Sequence, residues 1–223
     1  MISIKALLFD FDGVLADTEP FHWRAWNQVL APYSPEWDWE TYQRRCIGTS
    51  DLVMLNMFNE ITAIPITEDE LWALYPQKRE IFQDLATTQP IIDQRVVGLL
   101  AGLKELRLAV VTSSNQAEVE PVLVQSGLAE LLGTVVYGND VRHYKPHPEP
   151  YQLALTRLEV QPAEAVVFED SASGIRSGLD AGCRVVAVNS PADLLGLVED
   201  LLSGRSVGSG ADAPCRSDVE ARP

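Results

Sequence analysis

The amino-acid sequence predicts an α/β fold, a Rossmann-like parallel sheet core interrupted by an inserted all-helical domain. Three observations carry this expectation. From about residue 92 onward, short β-branched runs alternate with stretches of helical period, the pattern of an open α/β sheet. A further apolar run, KALLFDFD at 5–12, lies too far upstream of the next one to be joined to it by a single crossover. The intervening residues repeat at 3.6 and contain all five tryptophans, Trp23, Trp26, Trp37, Trp39 and Trp72.

Taken in order, KALLFDFD is the first strand. The segments FHWRAWNQVL, DLVMLNMFNEI and EDELWALYPQKREIFQDL follow as helices of the insert, whose aromatic set is expected to form its own core. RLAVVT at 107–112, GTVVYG at 133–138, EAVVFED at 164–170 and CRVVAVNS at 183–190 read as buried strands of a parallel sheet. Between them, 115–126 carries apolar residues at 119, 122 and 123. PEPYQLALTRL opens with prolines, and SASGIRSGLDAG ends in Gly182, a natural helix stop. The expected organisation is a discontinuous core of 1–17 and 91–202, a helical insert of 18–90, and a disordered Gly/Ser/Ala-rich tail of 203–223.

Composition narrows the function. With 17 Lys and Arg against 32 Asp and Glu, the net charge is 17 − 32 = −15, so long polyanions and anionic membrane surfaces are poor partners. No apolar run reaches membrane-spanning length and the N-terminus does not read as a signal peptide, so a cytoplasmic protein is expected, and a monomer. Cys46, Cys183 and Cys215 lack the spacing of a disulfide framework or a zinc site.

Four strand ends carry polar groups, and in an open α/β sheet ligands gather beyond the carboxyl ends of the strands. The first ends in DFDGVLADTE. A period of two would put Asp10 and Asp12 on one face, where paired carboxylates repel unless a cation or proton intervenes; a turn built from Asp and Gly is the competing account. The second ends in Thr112, Ser113, Ser114 and Asn115, hydroxyls and backbone N–H donors at a helix start that suit an oxyanion or a simple cap. After the third, Lys145 stands just ahead of the prolines in NDVRHYKPHPEPY and is a candidate anion clamp. The fourth ends in Glu169 and Asp170, which suit metal ligation or helix capping. Carboxylates, hydroxyls and one lysine around a single cleft match Mg²⁺-dependent phosphoryl transfer.

These segments, DFDGVLADTE, VVTSSN, KPHPEPY and FEDSASGIRSG in that order, resemble the haloacid-dehalogenase-like phosphatase superfamily, in the branch of β-phosphoglucomutase and phosphoglycolate phosphatase-like enzymes. The resemblance runs from about residue 3 to 201. It implies that Asp10 is the nucleophile of an aspartyl-phosphate intermediate and Asp12 the general acid and base. Thr112 and Lys145 would hold phosphoryl oxygens. Mg²⁺ would be bound by Asp10, the backbone carbonyl of Asp12, and Asp170, with Glu169 as ligand or partner. The insert corresponds to a helical cap. His22 in ADTEPFHWRAW would serve the reaction, and the loop RRCIGTSD at 44–51 would choose the substrate, with Gly48, Thr49, Ser50, Ser113, Ser114 and Asn115 as candidate contacts. Where the mutase has a lysine and an arginine in that loop, this sequence has Ile47 and Asp51, with Arg44 and Arg45 nearby. The expectation is therefore a Mg²⁺-dependent phosphatase of a small phosphorylated metabolite, a sugar phosphate or phosphoglycolate-like compound. β-Phosphoglucomutase is the alternative enzyme, and a catalytically silent phosphometabolite-binding module is the alternative from another class.

Overall fold

A computed structural model describes residues 4–33, 37–46, 54, 56, 58–60, 62, 64–205 and 207. The expected loop contacts Gly48, Thr49 and Ser50, with Ile47 and Asp51, lie outside the described residues, as does the tail beyond residue 207. The chain forms two compact units, Met1–Asp17 with Pro90–Pro223, and Thr18–Gln89.

In the first unit, β1 (Ala6–Phe9), β2 (Arg107–Val111), β3 (Thr134–Val136), β4 (Ala165–Glu169) and β5 (Arg184–Ala187) make one parallel sheet in the order β3-β2-β1-β4-β5. The chain moves outward from β1 through β2 to β3, then returns to place β4 against the other side of β1. The carboxyl ends of β1, β2 and β4 therefore flank the point where strand order reverses, the usual ligand position in such sheets. Strand pairing stops earlier than the β-branched runs suggest, at Val111, Val136, Glu169 and Ala187. The polar residues that follow sit in loops above the sheet.

Register and alternation position what comes next. Phe9 aligns with Val110 on one side and with Phe168 on the other. Ala6 and Leu8, Ala109 and Val111, and Ala165 and Val167 share one buried cluster with Tyr151, Ala154, Leu155 and Leu158. Those last four belong to the helix Glu149–Leu158, so this helix covers that face of the sheet, together with the helix Ala172–Asp180. Ser171 caps the second helix by accepting the Gly174 N–H at 3.0 Å. Gln116–Ser126 buries Val119, Val122 and Leu123, the apolar positions its sequence period marks.

The second unit contains Glu19–Leu30, Trp39–Arg45 and the long helix Glu68–Thr88, which starts in a Thr67/Glu70 capping box. Trp26, Trp37, Tyr42, Phe58 and Leu71 form its core, with Trp23 and Trp39 packed against it. Trp23 Nε1 and Asn27 Nδ2 both donate to the Trp37 carbonyl, at 2.7 and 3.0 Å, fixing the turn between the first two helices. Trp72 departs from the expected aromatic core. It is exposed, donating to Glu68 Oε1 one helical turn away.

Leu8 is fully buried on the central strand, so Leu8→Ala is expected to lower unfolding free energy by about 2–5 kcal/mol. Urea denaturation with an unchanged m-value would register it; a loss below about 1 kcal/mol would contradict the packing described.

Candidate active site

The register of β1 and β4 puts Asp10 and Glu169 side by side just past Phe9 and Phe168. Alternation points both onto the face that carries Leu8 and Val167. Both side chains are buried there, and two buried carboxylates in contact cannot stay ionised without a cation. Lys145 supplies it. Its Nζ donates to Asp10 Oδ1 at 2.6 Å, to Glu169 Oε1 at 2.5 Å and to the Val111 carbonyl at 2.9 Å. One ammonium thus ties the ends of β1, β2 and β4 together.

Glu169 is further held by Tyr151, whose hydroxyl donates to Oε1 at 2.7 Å, and by Ser171, whose Oγ donates to Oε2 at 3.1 Å. The Tyr151 ring also lies 5.2 Å from the Lys145 ammonium. Gly174 completes this pocket, because a Cβ there would overlap the Glu169 carboxylate. Tyr151, Ser171 and Gly174 were not singled out by sequence reasoning. Tyr151 ends the KPHPEPY segment, but at its helical position it reads as a core residue.

Electrostatics follow from burial. Desolvation raises the Asp10 carboxyl well above its ordinary value, Glu169 adds to the rise, and Lys145 opposes it. Burial also works against the Lys145 ammonium, but Asp10 and Glu169 overcome it and raise Lys145 above its usual range. Tyr151 is pushed up by burial and then by Glu169, so it remains a proton donor. Asp10, Glu169 and Asp170 each offer a carboxylate oxygen within 4.8 Å of the others. Three carboxylates and one ammonium sum to −3 + 1 = −2, and an all-oxygen donor set of that charge fits one hard divalent cation.

Asp12 differs from the strand-face expectation. β1 ends at Phe9, and Gly13 turns the chain at φ 79°, so alternation does not extend to Asp12. A Cβ on Gly13 would overlap the Asp170 carboxylate, so the turn and the acidic cluster fit together only with glycine. Asp12 is half-buried, and its Oδ2 accepts from Ser114 Oγ at 2.8 Å. Thr112 is buried and its hydroxyl accepts the Ser114 N–H at 2.9 Å. Ser113 and Asn115 are exposed at the start of Gln116–Ser126, where Asn115 makes no side-chain cap bond. The core thus brings together Asp10, Asp12, Ser114, Lys145, Glu169 and Asp170. In the helical unit, His22 stacks on Phe82 with centroids 4.2 Å apart. Desolvation and the nearby Lys78 push its imidazole well below the ordinary value, so the ring is neutral at neutral pH.

Residues 7–188 match the family model described as haloacid dehalogenase-like hydrolase. The chain belongs to this family. Among relatives of these hydrolases, a phosphorylated carbohydrates phosphatase of Thermotoga maritima is 31% identical over 205 residues, covering 92% of this chain and 90% of its own. The fructose-1-phosphate phosphatase YqaB of Escherichia coli is 32% identical over 186 residues, covering 82% of this chain and 95% of its own. The crystal structure of CbbY from Rhodobacter sphaeroides in complex with phosphate superposes with a TM-score of 0.69 at 31% identity, covering 82% and 85% of the two chains.

The raised Asp10 carboxyl predicts a pH effect in the hydrolase stripped of metal. A folded-state value above the unfolded value, near 3.8, means that the group's contribution is full below the unfolded value and is lost as pH rises through the folded one. Asp10→Asn cannot ionise. It is expected to melt above wild type at neutral pH in chelator, the difference shrinking as pH is lowered. A difference that does not change with pH would contradict the electrostatic account.

Proposed function

We propose that this hydrolase releases phosphate from a small phosphorylated sugar through a phosphorylated Asp10, with Mg²⁺ as its cofactor. The observation that carries the reading is the division of labour between two neighbouring acids. Asp10 is buried and oriented by Lys145, as an attacking group must be, whereas Asp12 is half-buried and held by a hydroxyl at the mouth of the same strand ends.

Asp10 attacks phosphorus as its carboxylate, and Lys145 holds one of its oxygens so that the other leads. As the bond from phosphorus to the sugar oxygen breaks, Asp12 gives that oxygen a proton. Asp12, now a carboxylate, takes a proton from water, whose oxygen attacks phosphorus and returns Asp10 with release of phosphate. Thr112 accepts the Ser114 N–H, which leaves its own hydrogen for a phosphoryl oxygen. Asp10, Asp170 and the Asp12 carbonyl would hold Mg²⁺, which when bound supplies the positive charge that lets an anionic substrate approach three carboxylates. Glu169 fits the role of partner to Lys145, since Lys145, Tyr151 and Ser171 engage its two oxygens.

Support for a sugar phosphate comes from the Thermotoga and Escherichia relatives, both phosphatases of phosphorylated sugars, which favour net hydrolysis over mutase chemistry. His22, Gly48, Thr49, Ser50, Ser113, Ser114 and Asn115 belong to the same reading as substrate contacts. No helix among the described residues is long and apolar enough to cross a membrane. The thiols of Cys46 and Cys183 are buried and raised by that burial to about 12 and about 11; a cytoplasmic setting is part of the proposal. A monomer is part of the proposal.

Phosphate release from p-nitrophenyl phosphate and a panel of sugar phosphates, with and without Mg²⁺, tests this reading. Wild type is expected to turn over only with the metal, and Asp10→Asn to lose at least about a thousandfold in kcat. Retained turnover in Asp10→Asn would remove Asp10 as nucleophile. Conversion of β-glucose 1-phosphate to glucose 6-phosphate faster than phosphate release would replace the phosphatase with a mutase.

A further inference from the structure

Two of the chain's three histidines, His143 and His147, stand on the loop leading into the helix Glu149–Leu158, and neither touches the carboxylate cluster. Their rings stack with centroids 4.5 Å apart. His143 Nδ1 lies 2.6 Å from Glu149 Oε2, and the Glu149 N–H donates to His147 Nδ1 at 3.1 Å. One ligand atom from each of the three residues lies within 4.8 Å of those of the other two.

The backbone beneath this group is anchored on both sides. Glu149 accepts the N–H groups of Arg142 at 2.9 Å and His143 at 3.2 Å, which aims its carboxylate at the loop. The His147 carbonyl accepts from Ser177 Oγ at 2.7 Å, and its N–H donates to Tyr144 at 2.9 Å. Both imidazoles are exposed, so closing on an ion requires only that two solvent-facing rings turn.

We propose that His143, His147 and Glu149 form a second metal site, selective for a divalent transition metal such as Zn²⁺. Two imidazole nitrogens and one carboxylate oxygen are the donors such an ion prefers, at about 2.0–2.2 Å, whereas Mg²⁺ prefers an all-oxygen set like that proposed for Asp10, Asp170 and the Asp12 carbonyl. The ion takes the place of the proton between His143 Nδ1 and Glu149 Oε2, and of the N–H at His147 Nδ1. That N–H lies in the first turn of a helix, where water replaces the lost bond. Lys145 is two residues from each histidine, so the ion is tied to the backbone that carries the buried ammonium without entering the acidic cluster.

Calorimetric titration of the full chain with Zn²⁺, with Mg²⁺ in excess to fill the all-oxygen set, tests the site. Wild type is expected to take up about one Zn²⁺ per chain. Affinity should fall at least about tenfold in His143→Ala and in His147→Ala, and stay unchanged in Asp170→Asn. Imidazole NMR signals of the wild type give a check that needs no variant: Zn²⁺ should move those of His143 and His147 and leave His22 in place. Lack of Zn²⁺ uptake, uptake undiminished in both histidine variants, or movement of the His22 signals instead would overturn the proposal.

Discussion

The ammonium of Lys145 between Asp10 and Glu169 is the interaction on which the rest of the core depends. Parallel pairing of β1 and β4 forces the two acids together, and alternation buries both on one face. Without a cation between them, at least one would be held neutral. Losing one partner of a buried ion pair costs about 3–5 kcal/mol, because the remaining charge has no solvent to turn to. The cluster therefore constrains its surroundings. The loop before Glu149–Leu158 must bring Lys145 back over the sheet, Tyr151 must present its hydroxyl to Glu169, and Gly174 must lack a side chain.

The same constraint creates the chemistry. An acid that is only partly neutralised is unfavourable to bury, and the imbalance of three carboxylates against one ammonium is what a divalent cation would correct. Stability and function are opposed at Asp10, because burial disfavours the charged form that an attacking carboxylate requires. The net charge of −15 excludes long polyanions from the surface at large. Locally, the Lys145 ammonium offsets part of the carboxylate charge at the strand ends.

Much of this was legible in the sequence, for stated physical reasons. Asp10, Lys145, Glu169 and Asp170 stand at the ends of β-branched runs, and strand ends are where an open α/β sheet gathers its ligands. That Lys145 bridges Asp10 and Glu169 was not legible, because it depends on β4 returning beside β1, a property of topology and not of any local segment. The sequence leaves open whether Asp12 shares the strand face or belongs to a turn, because a period of two carries no sign of where the strand stops; the turn at Gly13 decides it. Tyr151 was missed because a buried aromatic residue on an amphipathic helix looks the same whether its hydroxyl is bonded to an acid or to nothing. His143, His147 and Glu149 were invisible as a group, since only the fold of their loop brings them within reach of one another.

In the proposed mechanism the buried, lysine-held carboxylate of Asp10 becomes covalently phosphorylated during turnover. Rapid acid quenching of the enzyme during turnover, followed by peptide mass spectrometry, tests it most directly. The peptide containing Asp10 is expected to carry the added mass of one phosphoryl group, absent in Asp10→Asn. A phosphoryl group on any other residue, or none while turnover proceeds and the quench is shown to preserve acyl phosphates, would contradict it.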